Sequence, residues 1–398
     1  MHILEQYALN CGVKIDQPYI CDKFFPVPCD KYITLHPFGK FNSRKYDYWS
    51  DVINILTPYL EKENIKIIQI GGPNEQPLDG CIHLMGSSDF NQSAFIIKNS
   101  LLHLGADSFP THLASYFQRK IVALYCNMYA DQSKPYWSKS SDAILLEADL
   151  GNNRPSYSPE ENPKTINTIK PETIVKSVLL LLNINNLNLP QTVYIGNRYK
   201  DKVIETMPDQ VIHPEFFKGS VLNIRFDFTD KEIDLNQVAQ NLSLRPCSIV
   251  TDKSFPIELL AQYKANLSCV IYDVTSGCDI QFIKKMEQLG IKYVCIFNSY
   301  KKKNLTVQQV REQLMEYCDV QEINTVPKHI PENLTDSNLK YRSNRIILAN
   351  QKIYPSRVAQ LLDLSVTDAT TGQDLSKIAQ RQEFKEDIEY CYIYSDHA

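Results

Sequence analysis

The stretch LLHLGADSFPTHLASYFQRKIVALYC, residues 101–126, decides how the chain is read. Its opening apolar residues, 101–105, fit a short strand. Residues 110–117 fit a helix that starts directly after it, and KIVALYC fits a second strand. A strand, a helix and a strand joined by such short loops form a parallel crossover unit of an α/β sheet. The turn at residues 106–109 therefore lies at the carboxyl edge of the sheet, where open α/β sheets take their ligands. Asp107, Ser108, Pro110, Thr111 and His112 crowd that turn. The first helical turn has free N–H groups that attract phosphate. Asp107 and Ser108 suit either sugar hydroxyls or a helix cap, and Thr111 and His112 add donors at the same end.

Working outward, the same alternation continues. KYITLHP reads as a strand. YDYWSDVINILTPYLEKEN has Val52, Ile55, Leu56, Tyr59 and Leu60 at helical spacing. IKIIQIGG and IHLMGSS are further strands, and FNQSAFIIKNS is a helix between them and the opening stretch. Two more loops face the same edge. HPFGKFNSRK, after the first strand, supplies His36, Gly39, Lys40, Ser43, Arg44 and Lys45, and small residues with cations suit a diphosphate. GGPNEQ follows the second strand. Gly71 and Gly72 permit close backbone approach, and Glu75 fits a ribose hydroxyl. Tyr46, Tyr48, Trp49, Tyr136 and Trp137 offer rings for stacking on a base or sugar, or for packing.

HPFGKFNSRKYDYW, IIQIGGPNE and the run from HLMGSSDF to IVALY together resemble the nucleotide-sugar half of the ADP-heptose:lipopolysaccharide heptosyltransferase family. The most specific part is GADSFPTHLA, similar to that family's Gly-x-Asp-Ser/Thr-Gly-Pro-x-His-Leu-Ala. The resemblance covers about a quarter of the chain. It implies a GT-B glycosyltransferase: α/β, with two Rossmann-like parallel-sheet domains and a deep interdomain cleft. It also implies that Lys40 or Lys45 meets the donor diphosphate, with Gly39, Gly71, Gly72 and Pro110 shaping the loops. Asp107 would hold sugar hydroxyls, Ser108 would cradle phosphate, and Glu75 would sit near the ribose. Met85 and Gly86 would lie beside the base, with His112 beneath the phosphate loop. Phe109 stands where the family has Gly, which would narrow the pocket or alter the sugar accepted. The order of the halves differs too: the acceptor domain precedes this half in the family and would follow it here, as in a permutation.

EADLGNNRPSYSPEENPKTINTIKP reads as a connector, and PETIVKSVLLLLNI as a helix with Pro171 in its first turn. QTVYIGN, VLNIRFD, CSIVTD, CVIYD and YVCIFN then give a second series of strands, with helical stretches between several of them. The expected organisation is a donor domain with an N-terminal extension over 1–185, an acceptor domain over 186–328, and a helical or irregular bracing segment over 329–398. Three strands of the second series end in an acid, Asp227, Asp252 and Asp273. Each is a candidate general base on the acceptor hydroxyl, although an Asp in such a place more often starts a turn. His213 is a lesser candidate.

The 398 residues carry a net charge of −4, so no global basic field asks for nucleic acid. Glycosylation of a DNA base is accordingly disfavoured. The eleven cysteines lack zinc spacing and fit reduced, mostly buried thiols; no metal site and no cofactor are expected beyond the nucleoside-diphosphate sugar as donor substrate. There is no long apolar run and no signal-like start, which leaves the cytoplasm as the expected compartment and peripheral membrane contact open. The leading reading is transfer of a sugar to a hydroxyl acceptor, with lipopolysaccharide or another glycan as the class implied by the resemblance. A nucleotide-sugar epimerase or hydrolase and a non-catalytic nucleotide-sugar-binding protein remain as alternatives. Oligomeric state is not encoded in any motif.

Overall fold

The strands of the first half are short and apolar along their whole length. YITLH, LHLGA and IVALY are buried at every position, the pattern of a parallel sheet covered on both faces. In the computed structural model they pair in parallel, as β1 (Tyr32–His36), β2 (Lys66–Gln69), β3 (Ile82–His83), β4 (Leu102–Ala106), β5 (Lys120–Tyr125) and β6 (Ala143–Glu147). Their spatial order is β3-β2-β1-β4-β5-β6, the doubly wound order in which the chain reverses direction between β1 and β4. The register there sets His36 opposite Gly105. A Cβ on Gly105 would stand 2.8 Å from the His36 carbonyl oxygen, so glycine lets these central strands approach.

The structure describes residues 1–161, 164–195, 203–216, 221–229, 234–274, 278–298, 305–315, 320–323, 338–343, 345–366, 373–374 and 393–394. Contacts divide the chain into two compact units, Met1–Thr192 and Val193–Ala398. In the first, α1 (Ile3–Cys11) is followed by an extended segment that leads into β1. Helix α2 (Trp49–Lys62) buries Trp49, Val52, Ile53, Leu56 and Leu60. Ile53, rather than Ile55, joins the core because the buried stripe includes Trp49, four positions before it. Pro58 lies on the exposed side of α2, where water can satisfy the carbonyl that its missing N–H leaves. Helix α3 (Phe90–Lys98) begins with a capping box between Asp89 and Gln92. Helices α4 (Phe109–Tyr116), α5 (Ala130–Ser133) and α6 (Pro171–Leu181) complete this unit.

His103 lies inside β4, fully buried, with Nδ1 3.0 Å from Thr34 Oγ1 and Nε2 without a partner among the described residues. Burial, reinforced by the nearby His36, pushes its pKa down from 6.5 to about 3. The unfolded chain takes up this proton below pH 6.5 and the folded chain does not. The stability this group contributes is therefore present above that pH and lost as pH falls towards 3. Between pH 6.5 and 5.5 the native protein should lose about 1 kcal/mol more than a His103→Leu variant, because the unfolded histidine is already half protonated at the upper pH. Urea unfolding of both at the two pH values measures this; parallel losses would contradict it.

The second unit follows β7 (Gln191–Ile195) with β8 (Val203–Thr206), β9 (Leu222–Arg225), α7 (Leu235–Leu244), β10 (Cys247–Thr251), α8 (Ile257–Gln262), β11 (Leu267–Asp273), α9 (Ile280–Gln288), β12 (Tyr293–Asn298), α10 (Leu305–Met315) and β13 (Val320–Ile323). Then come β14 (Leu339–Ser343), β15 (Arg345–Ala349), β16 (Lys352–Tyr354), α11 (Arg357–Leu361), β17 (Gln373–Asp374) and β18 (Ile393–Tyr394). The main sheet has the order β13-β12-β11-β10-β9-β8-β15-β16, parallel except for the β15–β16 hairpin.

Two expectations change here. QTVYI is not in this sheet; it pairs with β14 and β18 in a separate four-stranded one. The segment expected only to brace the domains instead supplies β15 and β16 to the main sheet. RIILA is buried at every position, and Arg345 is ion-paired to Glu205 on neighbouring β8. Residues 375–392 of that segment lie outside the described residues. The cysteines are less buried than expected: Cys11 and Cys21 are exposed, and Cys126, Cys247 and Cys295 are buried.

Candidate functional site

The crevice between the carboxyl ends of β1 and β4 opens into a pocket of about 640 Å³, within the range of small-molecule sites. Gly39, Lys40, Lys45, Gly71, Gly72, Glu75, Asp107, Ser108 and Pro110 all line it. Three loops that are distant in sequence thus meet in one hollow, because they follow β1, β2 and β4, adjacent strands of one sheet. Met85, Gly86, Thr111 and His112 do not line it. Gly86 packs on Pro73, where a Cβ would come within 2.6 Å, and its N–H donates to Gly71 O at 2.9 Å. It pins the loop after β3 to the loop after β2. Thr111 is fully buried, with its hydroxyl donating to Ala106 O at 2.9 Å. His112 Nε2 lies 3.4 Å from Asp107 Oδ1, supporting the turn from the side.

Arg44 organises the floor. Its Nη1 is 3.0 Å from Asp107 Oδ2 and donates to Asp107 O at 2.9 Å, and its Nε donates to Asn127 Oδ1 at 3.1 Å. Ser133 Oγ also donates to Asp107 Oδ2, at 3.1 Å. Asp107 is 5% exposed. Its oxygens are thus engaged by the protein, and they hold Arg44 in place beside the pocket. The cation cluster in HPFGKFNSRK signals Arg44, but nothing in the sequence couples it to Asp107. Lys40 and Arg44 also lie over the Phe41 ring, at 5.9 and 5.5 Å. Phe109 is half-exposed in the pocket wall, and its ring is 5.0 Å from that of Phe90.

Ser108 occupies the N-cap position of α4, yet its side chain makes no capping bond. The hydroxyl instead meets His36 Nδ1 at 2.9 Å. His36 Nε2 lies 3.6 Å from Glu75 Oε1, which also accepts the Gly72 N–H at 2.9 Å. Burial raises the Glu75 pKa, but His36, the Gly72 N–H and Lys45 outweigh it and hold the carboxyl below its ordinary value. Gly71, at φ +154°, has the Glu75 carboxylate where a Cβ would be, so a side chain there would be strained by the backbone and would displace Glu75 from its place beside His36.

The aromatic candidates divide. Tyr46, Tyr48 and Trp49 are buried core residues packed edge to face, with Trp49 Nε1 donating to Pro37 O. Tyr136 packs against His2.

In the second unit, Asp227, Asp252 and Asp273 follow or end the adjacent strands β9, β10 and β11. Both oxygens of Asp227 accept from Arg225, at 2.8 and 2.5 Å, which ties up the lone pairs a general base needs. Asp273 is 3% exposed. Asp252 is half-buried, and its Oδ1 has no partner among the described residues. Much of the VTSG run after Asp273 lies outside the described residues. His213 Nδ1 accepts the Glu215 N–H in a local turn.

No family model matches the chain, and no curated protein matches it. Among solved structures, it is similar to a glycosyl transferase family 9 protein from Veillonella parvula DSM 2008, at 20% identity over 39% of this chain and 47% of that one, with a TM-score of 0.33. It is similar also to E. coli ADP-heptose LPS heptosyltransferase II, at 16% identity over 45% and 51%, TM-score 0.31. E. coli heptosyltransferase WaaC with ADP gives 12% identity over 44% and 54%, TM-score 0.31. The chain thus spans about half the length of these structures. The likeness is partial, and scores this low say nothing about substrate.

Proposed function

We propose that the chain is a GT-B-like glycosyltransferase that binds a nucleoside-diphosphate sugar in the pocket between β1 and β4 and transfers its sugar to a hydroxyl acceptor, a glycan such as lipopolysaccharide. One observation carries this reading: Lys40, Arg44 and Lys45 line one hollow at the reversal point of a 3-2-1-4-5-6 sheet, beside the N-terminus of α4. That is where a diphosphate is best neutralised. As the glycosidic bond breaks, negative charge builds on the departing diphosphate. The three cations and the helix terminus stabilise it, and Arg44 does so without moving, because Asp107 and Asn127 already fix it.

The acceptor hydroxyl needs a base. Asp252 is the best suited of the three acids, since Asp227 is held by Arg225 and Asp273 is deeply buried. No helix among the described residues is long and apolar enough to cross a membrane.

The test is release of nucleoside diphosphate from a panel of nucleotide sugars, with and without glycan acceptors. The account expects release that depends on acceptor and falls at least tenfold in Lys45→Ala. Release at the same rate without acceptor would make the protein a hydrolase, and binding without release across the panel would make it a non-catalytic binder.

A further inference from the structure

Ser108 has a neighbour that a phosphate-cradling hydroxyl does not require. The ends of three adjacent strands deliver a carboxylate, an imidazole and a hydroxyl in line: Glu75 after β2, His36 at the end of β1, and Ser108 after β4. The spacings are 3.6 Å from Glu75 Oε1 to His36 Nε2 and 2.9 Å from His36 Nδ1 to Ser108 Oγ. Glu75 is itself fixed by the Gly72 N–H. The imidazole side chain is 11% exposed and the carboxylate 21%, and all three groups line the 640 Å³ pocket. A nucleophile next to a base, with the base oriented by a third group, is the arrangement that activates serine on many unrelated folds. Ser108 also stands on a sharp strand-to-helix turn, with its hydroxyl drawn away from the capping role its position invites.

We propose that Ser108 is an activated nucleophile that cleaves acyl esters carried on an anionic, phosphorylated molecule. Ser108 Oγ adds to the ester carbonyl carbon while its proton passes to His36 Nδ1. The tetrahedral adduct then expels the alcohol, which takes that proton, leaving acyl-Ser108. Water attacks the acyl carbon with its proton going to His36, and collapse returns the proton to Ser108 and releases the carboxylic acid. Ester and water become acid and alcohol, with no other reactant. Glu75 is a positioning residue, holding the ring and balancing the imidazolium. Lys40, Arg44 and Lys45 select an anionic carrier; this choice of substrate rests on the diphosphate-pocket reading, whereas the nucleophile does not.

The experiment treats the full chain with a fluorophosphonate, whose P–F bond is displaced by an activated serine, and locates the adduct by peptide mass spectrometry. p-Nitrophenyl acetate hydrolysis is followed in parallel. The expected result is an adduct on Ser108 that forms at least 100-fold more slowly in both His36→Ala and His36→Gln and about tenfold more slowly in Glu75→Gln. Melting curves show whether each variant is folded, and the two His36 replacements guard against one that is not. In Glu75→Gln the pH profile of labelling should also change shape, which loss of packing alone would not cause. No adduct on Ser108 in the folded protein, or equal labelling in a folded His36 variant, overturns the proposal. If Ser108 is labelled but nucleoside diphosphate does not protect it, the nucleophile stands and the diphosphate reading fails.

Discussion

Arg44→Met should weaken nucleoside-diphosphate binding at least tenfold and cost about 2–4 kcal/mol of stability in the first unit. The two losses have different origins. Binding falls because a fixed cation leaves the pocket wall. Stability falls because Asp107, 5% exposed, loses its guanidinium and keeps only Ser133 and His112 nearby. Removing one partner of a mostly buried pair strands the other charge, which outweighs the lost hydrogen bonds themselves. Arg44 is itself 20% exposed at its side chain, and solvent screening places the cost below that of a fully buried pair. The double variant Arg44→Met/Asp107→Asn should recover most of the stability and none of the binding. Calorimetric titration together with urea unfolding separates the two. Binding restored in the double variant would show that Arg44 only props the loop.

Glu205→Gln should be the most destabilising single change in the second unit, by about 3–5 kcal/mol. Glu205, 3% exposed on β8, faces Arg225 of β9 and Arg345 of β15. Burial pushes its carboxyl up, but the two guanidiniums outweigh this and hold it below its ordinary value. Arg225 is shared with Asp227, and its charge is favoured by both acids. The amide keeps the shape and removes the charge, leaving buried cations undercompensated within an eight-stranded sheet. Three guanidiniums, those of Arg225, Arg345 and Arg357, also gather around the Phe228 ring at 3.7, 5.5 and 4.6 Å. Hydrogen exchange in β9 reads the result directly: amide protection at Leu222–Arg225 should fall by about two to four powers of ten, as about 3–5 kcal/mol implies. Unchanged protection there would mean that the ion cluster contributes nothing net.

The first sheet is legible in the sequence because its strands are unbroken apolar runs and each is followed by a loop of distinct chemistry. YITLH before HPFGKFNSRK and KIIQI before GGPNEQ show both the strand and the edge where the ligand residues lie. The direction of side chains on those edges is not legible. Asp107 and Ser108 are neighbours in a motif, yet one turns to Arg44 and the other to His36, 72 residues away in sequence. That choice is made by tertiary placement of β1 against β4, which no local spacing records. The place of RIILA in the second sheet is similarly hidden. Its partner, β8, lies 140 residues earlier, as the Arg345–Glu205 pair shows, and the chain returns to it only after β9 to β13 have been laid down on the other side.

The central claim is that the pocket between β1 and β4 recognises a diphosphate. It is tested most directly by calorimetric titration of the full chain with a nucleoside diphosphate, the matching monophosphate and the free nucleoside. The account predicts that the diphosphate binds at least about tenfold tighter than the monophosphate. It also predicts that this advantage disappears in Arg44→Met and shrinks as salt is raised. Equal binding of all three ligands, or a diphosphate preference that survives in Arg44→Met, would contradict it.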